Sequence, residues 1–165
     1  MPPENKRKVA IVDYSARYGD AFARLNIEWL DKYFEVEPID RRVLSDPERT
    51  IIAPGGVILY ACAGTEVVGT VALKHFGDGV YELTKMAVTE NRQGLGIGRQ
   101  LLCAVVERFH QLEGKTLYLE SHSDLVPAIT LYESAGFRHE TPPSPSDYAR
   151  ANVFMVYRRA ATPSA

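Results

Sequence analysis

The stretch Asn91 to Leu102 reads NRQGLGIGRQLL, with Gly94, Gly96 and Gly98 spaced two apart. Beyond them Leu101, Leu102, Val105, Val106 and Phe109 trace one face of a helix. Glycines in such a turn adopt backbone conformations that side chains disfavour, and let N–H groups approach a guest without a Cβ in the way. The helix starting near Gly98 brings the positive end of its dipole to the same place, and Arg92 and Arg99 add full charges. A pyrophosphate is the guest that suits this turn. Two familiar phosphate sites are excluded by spacing. A nucleoside-triphosphate loop needs Lys and Ser or Thr after its last glycine, where this chain has Arg99 and Gln100. A dinucleotide fingerprint needs G-x-G-x-x-G opening the first βαβ unit, whereas here G-x-G-x-G lies past the middle of the chain.

The surrounding patterns set a frame for that turn. KVAIVDY (Lys8 to Tyr14) predicts a strand. Phe22, Leu25, Ile27, Trp29, Leu30 and Phe34 recur at helical spacing, and Pro38 suits the first turn of a second, short helix that ends before Pro47. VILYACA, EVVGTVALKHF and VYELTKMAV then read as three strands joined at Gly64-Thr65 and Gly77 to Gly79, an antiparallel meander. After the helix that follows the glycines come a strand (TLYLES), a helix (LVPAITLYESAGF) and a last strand (NVFMVYRR). That order predicts one mixed sheet with helices on both faces.

The 165 residues fit one domain, 1–165, with a sizeable core, and a net charge of -2 gives no bulk attraction to nucleic acid or an anionic membrane. The Lys6-Arg7-Lys8 cluster reads as solvated. No apolar stretch approaches a signal peptide or a membrane span, so a cytoplasmic protein is expected. Cys62 and Cys103 lie in apolar segments without ligand-like neighbours and read as small buried hydrophobes, so no metal site is expected.

QGLGIG (Gln93 to Gly98) resembles the Q/R-x-x-G-x-G/A motif of the GNAT acetyltransferase superfamily. The preceding LTKMAVTE resembles that family's fourth strand, and PAITLYESAGF resembles its A-x-x-L-Y-x-x-x-G-F signature. Together they cover about residues 80 to 140, in family order. The resemblance implies an α/β fold (mixed α+β) with a mostly antiparallel sheet of about seven strands. It implies acetyl-CoA as donor, with its pyrophosphate on Arg92, Gln93, Gly94, Leu95, Gly96, Ile97, Gly98 and Arg99. The thioester and pantetheine would run along the backbone of Met86, Ala87 and Val88. One position departs from the pattern: where many relatives have Asn, this chain has Leu125, so that contact falls to Ser121 or Ser123 or is absent. A homodimer is compatible with such a fold, whose sheet edges often pair between protomers.

The implied reaction is direct attack of a primary amine on the thioester. An alkylamine of pKa about 10.4 is neutral in only about one part in a thousand at pH 7, so a carboxylate must take its proton. Glu82, on the strand entering the site, is the first candidate and Glu120, ending the next strand, the second. Glu82 can also be read as a surface residue paired with Lys74 or Lys85. Backbone N–H groups around Met86 to Val88 would face the oxyanion. Tyr132 occupies the position of the family's tyrosine acid for the departing thiolate; its plainer reading is a half-buried ring against the sheet. For the acceptor, Trp29 and Tyr33 (with Phe34) are candidate walls, although aromatics at helical spacing are more often plain core. Tyr148 and Arg150 are candidates at the mouth, Arg150 gripping a carboxylate. The expected acceptor is a small, amino-acid-like amine. The alternatives are a lysine or N-terminus of a protein, or a non-catalytic acyl-CoA-binding regulatory module.

Overall fold

The computed structural model describes residues 8–158. Of the basic cluster, Lys6 and Arg7 lie outside them. The elements are β1 (Ala10–Asp13), α1 (Ala21–Tyr33), α2 (Pro38–Ser45), β2 (Val57–Ala63), β3 (Glu66–His75), β4 (Val80–Val88), α3 (Ile97–Gln111), β5 (Thr116–Ser121), α4 (Val126–Ser134), β6 (Phe137–His139) and β7 (Val153–Tyr157). They form one seven-stranded sheet in the order β1-β2-β3-β4-β5-β7-β6. Only β4 and β5 run parallel, joined through α3 as a parallel pair requires; every other pairing is antiparallel. The expected mixed, mostly antiparallel sheet with helices on both faces is what the chain forms.

Each face carries its own core. On one, Leu101, Leu102, Val105 and Phe109 of α3 pack on Leu73, Leu83, Leu117 and Leu119. On the other, Phe22, Leu25 and Leu30 of α1 and Val43 and Leu44 of α2 cover Ile58, Tyr60 and Ala72. Pro38 opens α2, as expected. A reciprocal cap closes it, with the Asp40 carboxylate accepting the Glu37 N–H at 2.9 Å.

Several details differ from the sequence reading. Ile27 is 36% exposed, and Asn26 takes the buried place beside it, its Nδ2 donating to the Phe22 carbonyl four residues back at 2.9 Å. Helical turning resumes after Pro47 as a single wide turn, Glu48–Ile52. The short β6, which pairs with β7, follows Gly136 too closely for periodicity to reveal three residues. Cys62 is buried as expected, but Cys103 is exposed because it lies on the solvent side of α3.

A bulge interrupts β4. Thr70 of β3 pairs with Ala87 and Ala72 with Thr84, so two β4 residues, Lys85 and Met86, oppose Val71 alone. Lys85 adopts φ 55, a left-handed conformation that a non-glycine residue holds only when its surroundings enforce it. Bulges of this kind bend a strand and redirect its side chains.

Candidate active site

Beyond the bulge the sheet opens. The β4–β5 pairing ends at Leu83 opposite Leu119, while β4 stays with β3 and β5 stays with β7. The two halves of the sheet diverge and leave a cavity of about 550 Å³ between them. Leu83 to Val88 line it from β4, and Glu120 and Ser121 of β5, with His122 just after the strand, from the other side. Leu125 at the cap of α4 and Pro127, Ala128 and Tyr132 within it close the cavity on one side, and Asn26, Trp29, Tyr33 and Phe34 from α1 and its end on the other. Glu82, Tyr148 and Arg150 complete the wall. The split strands therefore bring together both carboxylates, the tyrosine, the Met86–Val88 segment and the acceptor-side residues named from the sequence.

The glycine turn lies beside this opening. Gly94 (φ 77) and Gly96 (φ 84) are left-handed, and Gly96 caps α3. A Cβ on either would meet no protein atom within 4 Å, so the space over them is open to a guest. Backbone N–H groups of residues 94 to 99 donate to no protein acceptor among the described residues, which makes the turn a row of free donors at a helix N-terminus. Gly98 serves packing instead, lying 3.7 Å (as a Cβ) from Leu131 of α4. Leu95 and Ile97 anchor the turn in the core. Gln93 is tied back to the end of β4, its Nε2 donating to the Val88 carbonyl at 3.0 Å. Arg99 reaches Ser134 at 3.3 Å, and Arg92 lies 4.0 Å from Glu66.

Glu82 is 6% exposed and has no hydrogen bond or ion pair among the described residues. It stands opposite Lys74 in the β3–β4 register without forming a bridge to it. Burial, reinforced by the negative charge of Glu120, raises its pKa from 4.5 to about 7. Glu120 is less buried, and its Oε2 accepts from Ser146 Oγ at 2.7 Å. Tyr132 is 8% exposed, and its hydroxyl likewise has no protein partner among the described residues. Burial alone pushes its pKa up to about 12, so it holds its proton at neutral pH. In the loop before α4, Asn152 takes hold of Ser123, accepting its N–H at 2.9 Å and donating to its Oγ at 3.1 Å. Ser121, not Ser123, lines the cavity beside Leu125.

A buried charge cluster, absent from the sequence reading, forms the floor. Lys85 Nζ donates to Asp40 Oδ1 at 2.6 Å and to the Tyr148 hydroxyl at 3.1 Å. Arg150 clasps Asp40 with both terminal nitrogens, at 2.8 and 2.9 Å, and reaches Glu37 at 2.9 Å. Both cations lie 4.6 Å from the centre of the Tyr148 ring. Burial opposes ionisation of Asp40, yet hydrogen bonds from Arg150 and Lys85 outweigh it and hold its pKa at about 2. Arg150 thus sits at the cavity as expected, but its guanidinium is already committed within the protein. No single spacing signals this cluster, since Asp40, Lys85 and Arg150 are brought together from α2, β4 and the loop before β7. Among the described residues no group of His, Cys, Asp and Glu is arranged to hold a metal, and no helix is long and apolar enough to cross a membrane.

Comparison with known proteins agrees with this fold. A curated relative from Bacillus subtilis (strain 168), the uncharacterized N-acetyltransferase YvbK, is 29% identical over 105 residues, covering 62% of this chain and 68% of its own. The crystal structure of a GNAT-family acetyltransferase from Staphylococcus aureus Mu50 superposes with a TM-score of 0.80 at 22% identity, over 91% of this chain and 98% of that one. The PaiA N-acetyltransferase of Thermoplasma acidophilum, solved in complex with coenzyme A, gives 0.72 at 15% identity, over 92% and 99%. The sequence profile of the acetyltransferase (GNAT) family matches residues 21–137, from the start of α1 into β6, and this chain belongs to that family.

Proposed function

We propose that this protein transfers the acetyl group of acetyl-CoA directly to the primary amine of a small molecule. The observation that carries the reading is a pair of buried, unpartnered groups, Glu82 and the Tyr132 hydroxyl, opening on one cavity beside a row of helix N-terminal amides that have no protein acceptor among the described residues. The coenzyme A complex of the Thermoplasma relative supports the choice of donor. Aromatic side chains from α1 narrow the acceptor end, which favours a small acceptor over a protein segment.

The donor pyrophosphate rests on the amides of Gly94 to Arg99, and its pantetheine arm lies along the unpaired edge of β4. Glu82, whose pKa burial raises to about 7, takes the ammonium proton in its ionised form, directly or through one water. The amine nitrogen then bonds to the thioester carbon, and amides near Met86 to Val88 face the oxyanion. The C–S bond breaks as the tetrahedral species collapses, and Tyr132 gives its proton to the departing sulfur. The extra proton left on the acylated nitrogen passes through solvent to the tyrosinate, which restores Tyr132 and leaves a neutral acetamide. An acetamide and the free thiol of CoA leave.

Two measurements test this. Acetyl-CoA at about 100 times its dissociation constant is expected to stabilise the fold by about 2.7 kcal/mol in a thermal scan, where NAD and ATP give no comparable shift. Absence of that shift removes the donor assignment. Tyr132→Phe is expected to lower kcat by about a hundredfold while keeping acetyl-CoA affinity; full turnover in the variant would exclude the tyrosine acid. For the turn itself, Gly96→Ala forces a Cβ into a left-handed residue, a cost of about 1–2 kcal/mol. It also places a methyl group where the pyrophosphate lies, so titration should show weaker acetyl-CoA binding beyond the loss of stability.

A further inference from the structure

We infer that the acceptor is an amine bearing a second positive charge and no carboxylate. This deepens the acetyl-transfer reading and rests on it. The charges around the cavity are unevenly matched. Lys85 and Arg150 are the two cations on its wall, and both have partners: Asp40 binds them together, and Glu37 takes the remaining reach of Arg150. Asp40 is completely buried beneath them, so a carboxylate entering from the cavity would have to break a clasp whose anion cannot move out to water. The floor is thus electrically closed and offers no grip for an acceptor carboxylate.

The carboxylates on the wall are not matched. Glu82 has no partner among the described residues, and Glu120 has one hydrogen bond, from the neutral hydroxyl of Ser146, which leaves its second oxygen open. At Glu82 the negative field of Glu120 and Asp147 is opposed by the charges of Lys74 and Lys85, but neither lysine bridges its carboxylate. His122 does not offset this, because its Nδ1 accepts the Asp124 N–H at 3.0 Å and lies 3.6 Å from the Asp124 carboxylate. The aromatic wall of Trp29, Tyr33 and Phe34, with ring centres 5.4 and 5.6 Å apart, adds no cation of its own to the lining, and Lys32 Nζ already lies 5.4 Å from the centre of the Tyr33 ring.

The register then gives a spacing. Glu82 is opposite Tyr118, and Glu120 is two residues further along β5 on the same face. Strand geometry separates the two Cα positions by at least about 8 Å, since the strands part beyond Leu119. With one nitrogen delivered to Glu82, a second ammonium on a short alkyl chain reaches Glu120, whereas a carboxylate in that place meets like charge.

The test compares three acceptors of matched length, 1,4-diaminobutane, n-butylamine and 4-aminobutyrate, by thiol release from acetyl-CoA. The expected order of kcat/KM is diamine above butylamine by roughly tenfold, with 4-aminobutyrate lowest by a similar factor. In Glu120→Gln the diamine-to-butylamine ratio is expected to fall towards one. If 4-aminobutyrate is used as well as butylamine, or the ratio survives in Glu120→Gln, acetyl transfer stands and the charge selection is overturned. If acetyl-CoA stabilises the protein but none of the three amines releases thiol, the amine-transfer reading fails and this inference falls with it.

Discussion

Glu82→Gln is expected to lower kcat/KM by two to three orders of magnitude, roughly what a positioned general base contributes, and at the same time to raise the melting temperature above neutral pH. The second half follows from the sign of the linkage. Burial moves the Glu82 pKa up from 4.5 to about 7, so the folded state favours the protonated carboxyl. The associated stability is fully present below pH 4.5 and is lost as pH rises through about 7, a difference of about 3 kcal/mol for a group only 6% exposed. Gln mimics the protonated side chain at every pH. Wild type and variant should therefore melt together near pH 4.5 and separate in favour of the variant by pH 8. In the wild type, kcat/KM should rise through a limb near pH 7 that the variant lacks. A Gln variant that keeps wild-type turnover, or that melts lower at pH 8, would show that Glu82 is neither a base nor a buried acid under strain.

The opposite outcome is expected for Asp40. Asp40→Asn leaves the buried Lys85 and the half-buried Arg150 without their shared anion and weakens the cap of α2. Breaking a buried pair in this way costs about 3–5 kcal/mol, which for a chain of this size lowers the melting temperature by about 10 °C. Its pH dependence is also reversed. With a pKa held at about 2 against an ordinary 3.8, Asp40 contributes stability above pH 3.8 that is lost as pH falls through 2, about 2 kcal/mol. The variant should have a flatter acid limb. Lys85→Met, which leaves Arg150 to match Asp40, should cost less, and the double variant should fall short of the sum by about 1–3 kcal/mol. Strict additivity would mean that Lys85 and Asp40 do not act as a pair.

The sequence carried the glycine turn, the tyrosine, the order of every strand but β6 and the aromatic end of α1, because each is a local pattern with a local physical cause. Glu82 was recognisable by its place on the strand entering the site, but its isolation was not: Lys74 faces it in register and makes no bridge, a matter of side-chain direction that spacing cannot carry. Arg150 shows the same limit more sharply. An arginine near a substrate mouth suggests a carboxylate grip, and only the tertiary fold shows that α2 has already supplied the carboxylate. Residue type was readable there; partnership was not.

The bulge at Lys85 also inverts the parity of β4. Before it, the odd-numbered Tyr81 and Leu83 face the core under α3; after it, the even-numbered Met86 and Val88 pack on that core, and Ala87 turns to the side of α1. The single extra residue is a frame shift written in space. It lets the Glu82 carboxylate upstream and the open backbone edge downstream be addressed separately along one strand. Counting alternate residues from Glu82 to Val88 arrives on the wrong side of the sheet.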